Sequence, residues 1–596
     1  MSAPAPAPAD ATAAGRWAGP LLVAAVAATM LAATWSRWAD PLVDFGRELY
    51  VPWQLVRGRV LYADVAYLNG PLSPYLNALW FRLFGISMRT LVLCNAGILG
   101  IVIVLLHRLL EPVSDAFTAT AAGLTFVAVF AFGHVTAVGN YNFIAPYCHE
   151  MTHGLLFALV AFACLARHDG TGHPMAAAVA GAALGLVFLT KPEPFVAAAP
   201  ACAVWLATRR RRVVVVGAFV GGAVVPPLLA VALLSRSMPA AVALRGALGS
   251  WPWVMGGQAS SLAFYRLIMG TQDLGASLRA MAWSLAGYGA LLAPAVALAL
   301  AVRRVQRPWP IALGGFVGAA LVLGACCPPR FWLEAPRALP CLTFAVAVGW
   351  GTGLFGAAAP RGPVLALVIF ALALLAKIFF NVHAYHYGFV LALPATLLVV
   401  VALLAWVPAA ITAAGGCGAL FRAVAAAAVG IAVLTHVEVS ARRFAVKTHP
   451  VGGGADSLLA DARGPMAAAA LEMMGRDVDV GRSLAVLPEG VMLNFLSRRP
   501  NPTPYTNFMP PELAFYGEPR MLAALDAAPP DYVALVHKDT GEYGARFFGR
   551  DYGRDLYRWV RRNYREVATF GATPFHGARF GIALLRLDGT RQVCRR

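Results

Sequence analysis

The sequence predicts a mainly α protein: a polytopic bundle of about thirteen membrane-spanning helices followed by a C-terminal soluble α/β domain. Three observations carry this reading. Hydrophobic residues make up 59% of the 596-residue chain and charged residues only 13%, a balance that soluble domains do not reach. Apolar runs of roughly 16 to 22 residues, each long enough to cross a ~30 Å hydrocarbon core as a helix, recur along the first three quarters of the chain. The last quarter lacks such runs.

Taken in order, residues 1–17 form an Ala/Pro-rich, low-complexity tail that is expected to be disordered. Residues 18–35 are too long an apolar stretch for a cleaved leader and are read as a retained first helix. Further spans are expected near 90–107, 116–133, 153–167, 175–190, 194–208, 213–234, 281–302, 309–326, 338–356, 363–380, 388–406 and 419–436. The formal net charge of +19 is explained by topology, because its strongest clusters, Arg209 to Arg212 and Arg303, Arg304 and Arg307, lie between apolar runs, with Arg361 and Arg422 as single markers. From a cytoplasmic N-terminus, all of these fall on the cytoplasmic side. No arginine-rich, aromatic-interleaved segment or zinc-finger spacing accompanies the charge, which excludes a nucleic-acid partner. The nine cysteines are scattered without a CxxC pair and read as small core residues.

The same count places residues 36–89, 134–152, 235–280 and everything after about 437 outside, and these segments are rich in Trp, Tyr, His, Asp and Glu. The transmembrane domain is therefore set at 18–436, with outer loops 36–89 and 134–152, and the extracytoplasmic domain at 455–596. Within that domain LAVLPEG, DYVALVH and FGIALLRL read as strands, and PELAFYGEPRMLAALDAA and DLYRWVRRNY as amphipathic helices. The expected location is a bacterial inner membrane, multi-pass, with the N-terminus in the cytoplasm.

Candidate chemistry gathers just past the first helix, where Asp40, Asp44 and Glu48 stand close to the membrane surface, the last two one helical turn apart. The aromatic and polar alternation of this stretch predicts an interfacial helix along the outer leaflet. Lys191 and Glu193 in FLTKPEPF are expected where two helices meet at the outer face. There a lysine would hold a phosphate as a point charge, or pair with the glutamate and pin the hairpin. Arg330 and Arg337 in PPRFWLEAPRALP, and His383, His386 and Tyr387 in NVHAYHYG, fall at outer helix ends and are candidates for the cavity wall, with interfacial packing the alternative for the histidines.

An acidic residue after the first helix, a GRVLYAD turn, GPLSPYLNALWFRLFG leading to the second span, and the FLTKPEPF hairpin together resemble the polytopic GT-C glycosyltransferases of family 39. That group includes protein O-mannosyltransferases, the lipid A aminoarabinose transferase and RgtA/B/C/D-like bacterial enzymes of cell-envelope and lipopolysaccharide glycans. The resemblance implies a GT-C-like fold and transfer, with inversion, of a hexose or pentose from a polyprenyl-phosphate-linked donor to a lipid, glycan or protein acceptor on the extracytoplasmic face. It also implies a first-loop carboxylate as general base, which here matches Asp44. Where many relatives carry an Asp-Glu pair this chain has Asp44-Phe45, which leaves Glu48 or Asp40 as substitutes. The chemistry agrees, since an attacking hydroxyl needs a carboxylate within ~3 Å to take its proton, while a phosphate leaving group needs no protein acid. The bland alternative for Asp44 is a helix cap or a pair with Arg47.

His149-Glu150-Met151-Thr152-His153 has the letters of a zinc-protease helix. An Asp-Gly ligand motif on a later spanning helix is missing, as the only LDG, Leu587-Asp588-Gly589, lies in the soluble tail. Proteolysis is therefore the most distant reading. Tyr147, His149, Glu150 and His153 instead border the same cavity as the first loop, as residues that orient substrate. No cofactor is required, and a divalent metal near His149 and His153 is the alternative. A transporter or flippase for lipid-linked saccharides is the runner-up function, because a polar cavity beneath many helices serves both, although no internal repeat pairs the two halves.

Overall fold

The computed structural model describes residues 13–138, 141–208, 213–257, 262–302, 308–355, 361–479 and 481–588. Helices stand at every predicted span. They begin with α1 (Ala13–Ala33), then α2 (Phe45–Val56) and α3 (Leu72–Phe84) in the first loop, followed by α4 (Met88–Leu110) and α5 (Ala116–Thr125). Next come α6 (His149–Thr171), α7 (Pro174–Phe188), α8 (Pro192–Ala207) and α9 (Val213–Leu234). The later helices include Leu274–Ala301, Trp309–Cys326, Leu339–Gly351, Arg361–Leu375, Leu393–Val401 and Gly418–Ala445. Among the described residues eight helices are long and apolar enough to cross a membrane, and four more apolar helices are shorter.

Local chemistry sets the breaks. Ser87 and Asp115 cap α4 and α5 by accepting the backbone N–H of Thr90 (3.1 Å) and Thr118 (3.0 Å). Gly172, at φ 69°, closes α6 in the left-handed conformation, and Pro174 restarts the chain as α7. Arg422 reaches Asp115 at 2.6 Å, which fixes the end of the bundle opposite the first loop. The other basic markers, Arg209 to Arg212, Arg303, Arg304 and Arg307, lie outside the described residues. Burial is uneven: 72% of the apolar window of α6 is buried inside the protein against 6% for α9 and for Trp309–Cys326. The helix that carries His149 and His153 is thus a central one, while the others present their side chains to lipid.

The C-terminal domain holds a two-stranded antiparallel pair, β1 (His449–Val451) and β2 (Leu458–Ala460), and a four-stranded sheet of order β3-β4-β6-β5. Its strands are β3 (Leu484–Leu487), β4 (Tyr532–Val536), β5 (Tyr564–Gly571) and β6 (Gly581–Leu587). β3 and β4 run parallel, and β6 pairs antiparallel with both β4 and β5. β5 and the helix Gly464–Asp477 are elements that sequence patterning missed. β5 is largely exposed, so its apolar alternation is faint, and the helix carries an alanine run that reads as featureless.

The domain sits directly on the first loop. Arg463 pairs with Asp40 at 2.5 Å, Lys447 donates to the Arg37 carbonyl at 2.7 Å, and the Asn501 amide donates to the Tyr50 hydroxyl at 2.8 Å. α2 is accordingly not the leaflet-lying helix that its alternation predicted. Phe45, Leu49, Tyr50, Val51, Trp53 and Leu55 are all buried, and a Cβ on Gly46 would meet the backbone of Met492 at 2.5 Å. The amphipathic signal was right, but the domain covers the helix instead of lipid. α3 has the interfacial pattern, with Tyr75, Leu79 and Leu83 exposed along one face and Ser73, Asn77 and Phe81 buried on the other.

Candidate functional site

Beyond α1 the chain turns at Asp40, whose Oδ1 accepts the backbone N–H of Leu42 (3.0 Å) and Val43 (3.1 Å) while Oδ2 binds Arg463. Both oxygens are occupied, so Asp40 holds the loop to the domain. Asp44 follows as the residue before α2, at φ 62° and ψ −89°, and its side chain makes no capping hydrogen bond. A positive φ at a non-glycine residue stores about 1–3 kcal/mol of strain and persists only where surrounding contacts impose it. The Asp44 carboxylate instead accepts the Tyr387 hydroxyl at 3.2 Å. Tyr387 stacks on Tyr147 with ring centroids 4.2 Å apart, and Tyr147 donates to the Tyr387 carbonyl at 3.1 Å. Burial and the nearby Glu489 push the Asp44 carboxyl up to about 7, against the opposing charges of Lys538 and Arg47. A carboxyl at that value is well matched to taking a proton near neutral pH.

Glu48, one turn further, has the opposite character. Its Oε1 takes the Arg47 guanidinium at 2.8 Å, and its Oε2 takes both the ring Nδ1 (2.8 Å) and the backbone N–H (3.1 Å) of His149. Burial would raise this carboxyl, but Arg47 and His149 outweigh it and hold it down to about 2. Glu48 is an anchor that clamps α2 to the start of α6.

The His149–His153 segment opens α6 and is entirely buried. The second ring nitrogen of His149 meets Asn95 at 3.0 Å, His153 Nδ1 meets Ser73 at 2.9 Å, and Glu150 accepts Tyr67 and, at 2.9 Å, Cys148. With both nitrogens of His149 and one of His153 so engaged, these residues do not fit a metal centre. Among the described residues no group of three or more His, Cys, Asp or Glu is placed to hold a metal ion. The segment packs the first loop against the bundle.

On the other side of the Tyr147–Tyr387 pair, Lys191 precedes α8, whose Pro192 begins the helix. Its ammonium lies 4.0 Å from Glu193, which is bound more closely, at 2.5 Å, by Lys377. Lys377, unforeseen from the sequence, leaves Lys191 loosely paired. Arg337 is held by Glu334 (2.5 Å) and Asn381 (3.1 Å), and Arg330 is exposed. His386 contacts the Ile268 carbonyl (3.0 Å) and accepts the Gly388 N–H (2.9 Å), and His383 packs on Tyr385. Both histidines shape the loop that delivers Tyr387.

The C-terminal domain adds residues that sequence reasoning missed. Glu489 and Lys538 follow β3 and β4, pair at 3.1 Å, and are both charged neighbours of Asp44. A general rule pointed to them: ligands gather at the carboxyl ends of parallel strands, and these strands are parallel neighbours.

No protein-family model and no curated protein matches the chain. Solved structures do. The Archaeoglobus fulgidus oligosaccharyltransferase in complex with Zn and sulfate aligns over 95% of this chain and 73% of its own, with a TM-score of 0.51 at 13% identity. The same enzyme tethered to an acceptor peptide containing the NVT sequon aligns over 96% and 74%, with a TM-score of 0.50 at 13% identity. ArnT from Cupriavidus metallidurans bound to undecaprenyl phosphate aligns over 95% and 97% at 14% identity, but its TM-score of 0.49 carries no argument. At these identities the likeness shows the fold alone: a polytopic helix bundle with a C-terminal α/β domain, shared with the archaeal oligosaccharyltransferase.

Proposed function

We propose that this chain is a membrane glycosyltransferase that moves a sugar from a polyprenyl-phosphate-linked donor to a lipid, glycan or protein acceptor, with Asp44 as general base. The observation that carries the reading is the state of Asp44: a strained, half-buried carboxyl with no capping role, held by one tyrosine and raised to about 7. Around it lie a loosely paired lysine, Lys191, and an aromatic wall of Tyr147 and Tyr387. The fold shared with an oligosaccharyltransferase agrees with this.

In the reaction the acceptor hydroxyl gives its proton to Asp44 as its oxygen bonds to the anomeric carbon. The bond from that carbon to the phosphate oxygen breaks on the opposite side, which inverts the centre. The polyprenyl phosphate leaves as an anion beside Lys191, whose fixed positive charge offsets the developing negative charge. The site then faces the extracytoplasmic side of a bacterial inner membrane.

The test uses purified protein, synthetic short-chain polyprenyl-phosphate sugars and membrane lipid extract as acceptor. Wild type forms glycosylated product and Asp44→Asn loses it by about 10²-fold or more. Full activity in the variant refutes the assignment of the base. Movement of lipid-linked sugar across vesicles without transfer replaces the enzyme with a transporter.

A further inference from the structure

The connector between β3 and β4 brings another carboxyl to this cluster. It is fastened to the first loop, where Arg59 donates to the Asn501 carbonyl at 2.9 Å and the Ala66 amide to the Pro504 carbonyl at 3.0 Å. Further along, Glu512 stands in the first turn of the short helix Pro510–Tyr516. Its charged neighbours place it. Glu512 shares Glu489 and Arg47 with Asp44. Tyr265 lies among Lys191, Glu512 and Glu193, and Tyr543 lies among Glu489, Glu512 and Asp44. Glu512 therefore belongs to the same cluster of groups as Asp44 and Lys191.

Its Oε2 is buried without a hydrogen-bond partner, as is the Oδ1 of Asn507 beside it. A buried carboxyl oxygen left unpaired is costly, so a native structure that keeps one calls for an explanation. The surrounding cations do not supply it, because Arg47 is bound to Glu48 at 2.8 Å and Lys538 to Glu489 at 3.1 Å. The Asn507 side chain hydrogen-bonds this carboxyl group, which leaves Oε2 as the oxygen open to a ligand hydroxyl. In the glycosyltransferase reading, on which this inference rests, Asp44 attends the acceptor hydroxyl and Lys191 the phosphate, so the group between them is the transferred sugar.

We propose that Glu512 is a specificity-determining residue whose free carboxyl oxygen pairs with hydroxyls of the transferred sugar. A polyprenyl phosphate without its sugar then makes no use of Glu512.

The experiment measures binding of two kinds of synthetic lipid to the full-length protein in detergent: a bare short-chain polyprenyl phosphate, and the same lipid carrying glucose, mannose or arabinose. Wild type prefers at least one sugar-bearing lipid over the bare one. Glu512→Ala removes about tenfold of that preference, the effect of one hydrogen bond to a charged group, and leaves affinity for the bare lipid unchanged. Glu512→Gln, which keeps the shape and guards against misfolding, lowers the preference in the same direction. The proposal is overturned if the variants bind all lipids more weakly by one factor, if the preference survives in both, or if wild type shows none. Failure of wild type to bind even the bare phosphate sinks the glycosyltransferase reading itself, a different and recognisable result.

Discussion

Replacing Asp44 with asparagine is expected to remove activity and yet stabilise the protein above neutral pH. Burial and Glu489 raise this carboxyl from 3.8 to about 7. At about 1.36 kcal/mol per pH unit, that rise means an ionised Asp44 costs the fold up to ~4 kcal/mol. Partial exposure of the side chain screens that cost and reduces the recoverable part to about 1–2 kcal/mol. The direction follows from proton linkage. The folded carboxyl holds its proton more tightly than the unfolded one, so the wild type loses stability as pH climbs from 3.8 to about 7 and is level beyond. Asparagine does not titrate, so its advantage grows across that window. Thermal unfolding in detergent, followed by tryptophan fluorescence at pH 5 and pH 8, should show Asp44→Asn gaining about 1–4 °C more at the higher pH. An equal difference at both pH values, or a variant that melts below wild type at pH 8, would refute the claim that this carboxyl is held against its own ionisation.

Glu48→Gln is expected to do the reverse, losing about 1–3 kcal/mol because the partly exposed Arg47 and the buried His149 N–H groups lose their carboxylate partner, and the same melting assay reads it. Lys191→Ala should weaken binding of a bare short-chain polyprenyl phosphate by about 10-fold or more, checked by titration calorimetry. Arg463→Ala frees Asp40 and loosens the C-terminal domain, at a cost of about 1–3 kcal/mol, so limited proteolysis between residues 446 and 463 should accelerate. The double variant His149→Ala with His153→Ala should carry the same metal content as wild type by elemental analysis, since these rings are engaged with Glu48, Asn95 and Ser73.

The membrane helices were legible because the bilayer leaves the backbone few choices: an apolar run that crosses it must satisfy its own N–H and C=O groups. Val213–Leu234 and Trp309–Cys326 were read to the residue for that reason. The first loop was legible as a gathering of acids but not as a set of partners. Asp40, Asp44 and Glu48 are three acids in nine residues, and what separates them are partners far along the chain, Arg463 for one and His149, 101 residues away, for another. No local pattern encodes such contacts. The HEMTH letters describe a zinc helix only if both rings are free, and the partners that engage them, Glu48, Asn95 and Ser73, are again far along the chain. Glu489, Lys538 and Glu512 went unseen because no local pattern shows that the tail folds back over the first loop.

That folding back explains how two acids one turn apart acquire opposite properties. Glu48 faces the bundle, where the first turn of α6 offers it an N–H and an imidazole, and the adjacent Arg47 closes its other oxygen. Asp44 faces the domain, where the nearest charges include another acid, Glu489, and a lysine already paired with it. The first contact fixes the orientation of α2. With α2 fixed, the residue before it has no freedom to turn away, and its positive φ is imposed by the clamp below and the domain above. A rigid anchor and a strained, weakly held carboxyl are thus consequences of one packing arrangement. A mutation that relaxes the Glu48 clamp should therefore let Asp44 relax as well, moving its carboxyl back toward the ordinary value and lowering transfer even though Glu48 touches no substrate.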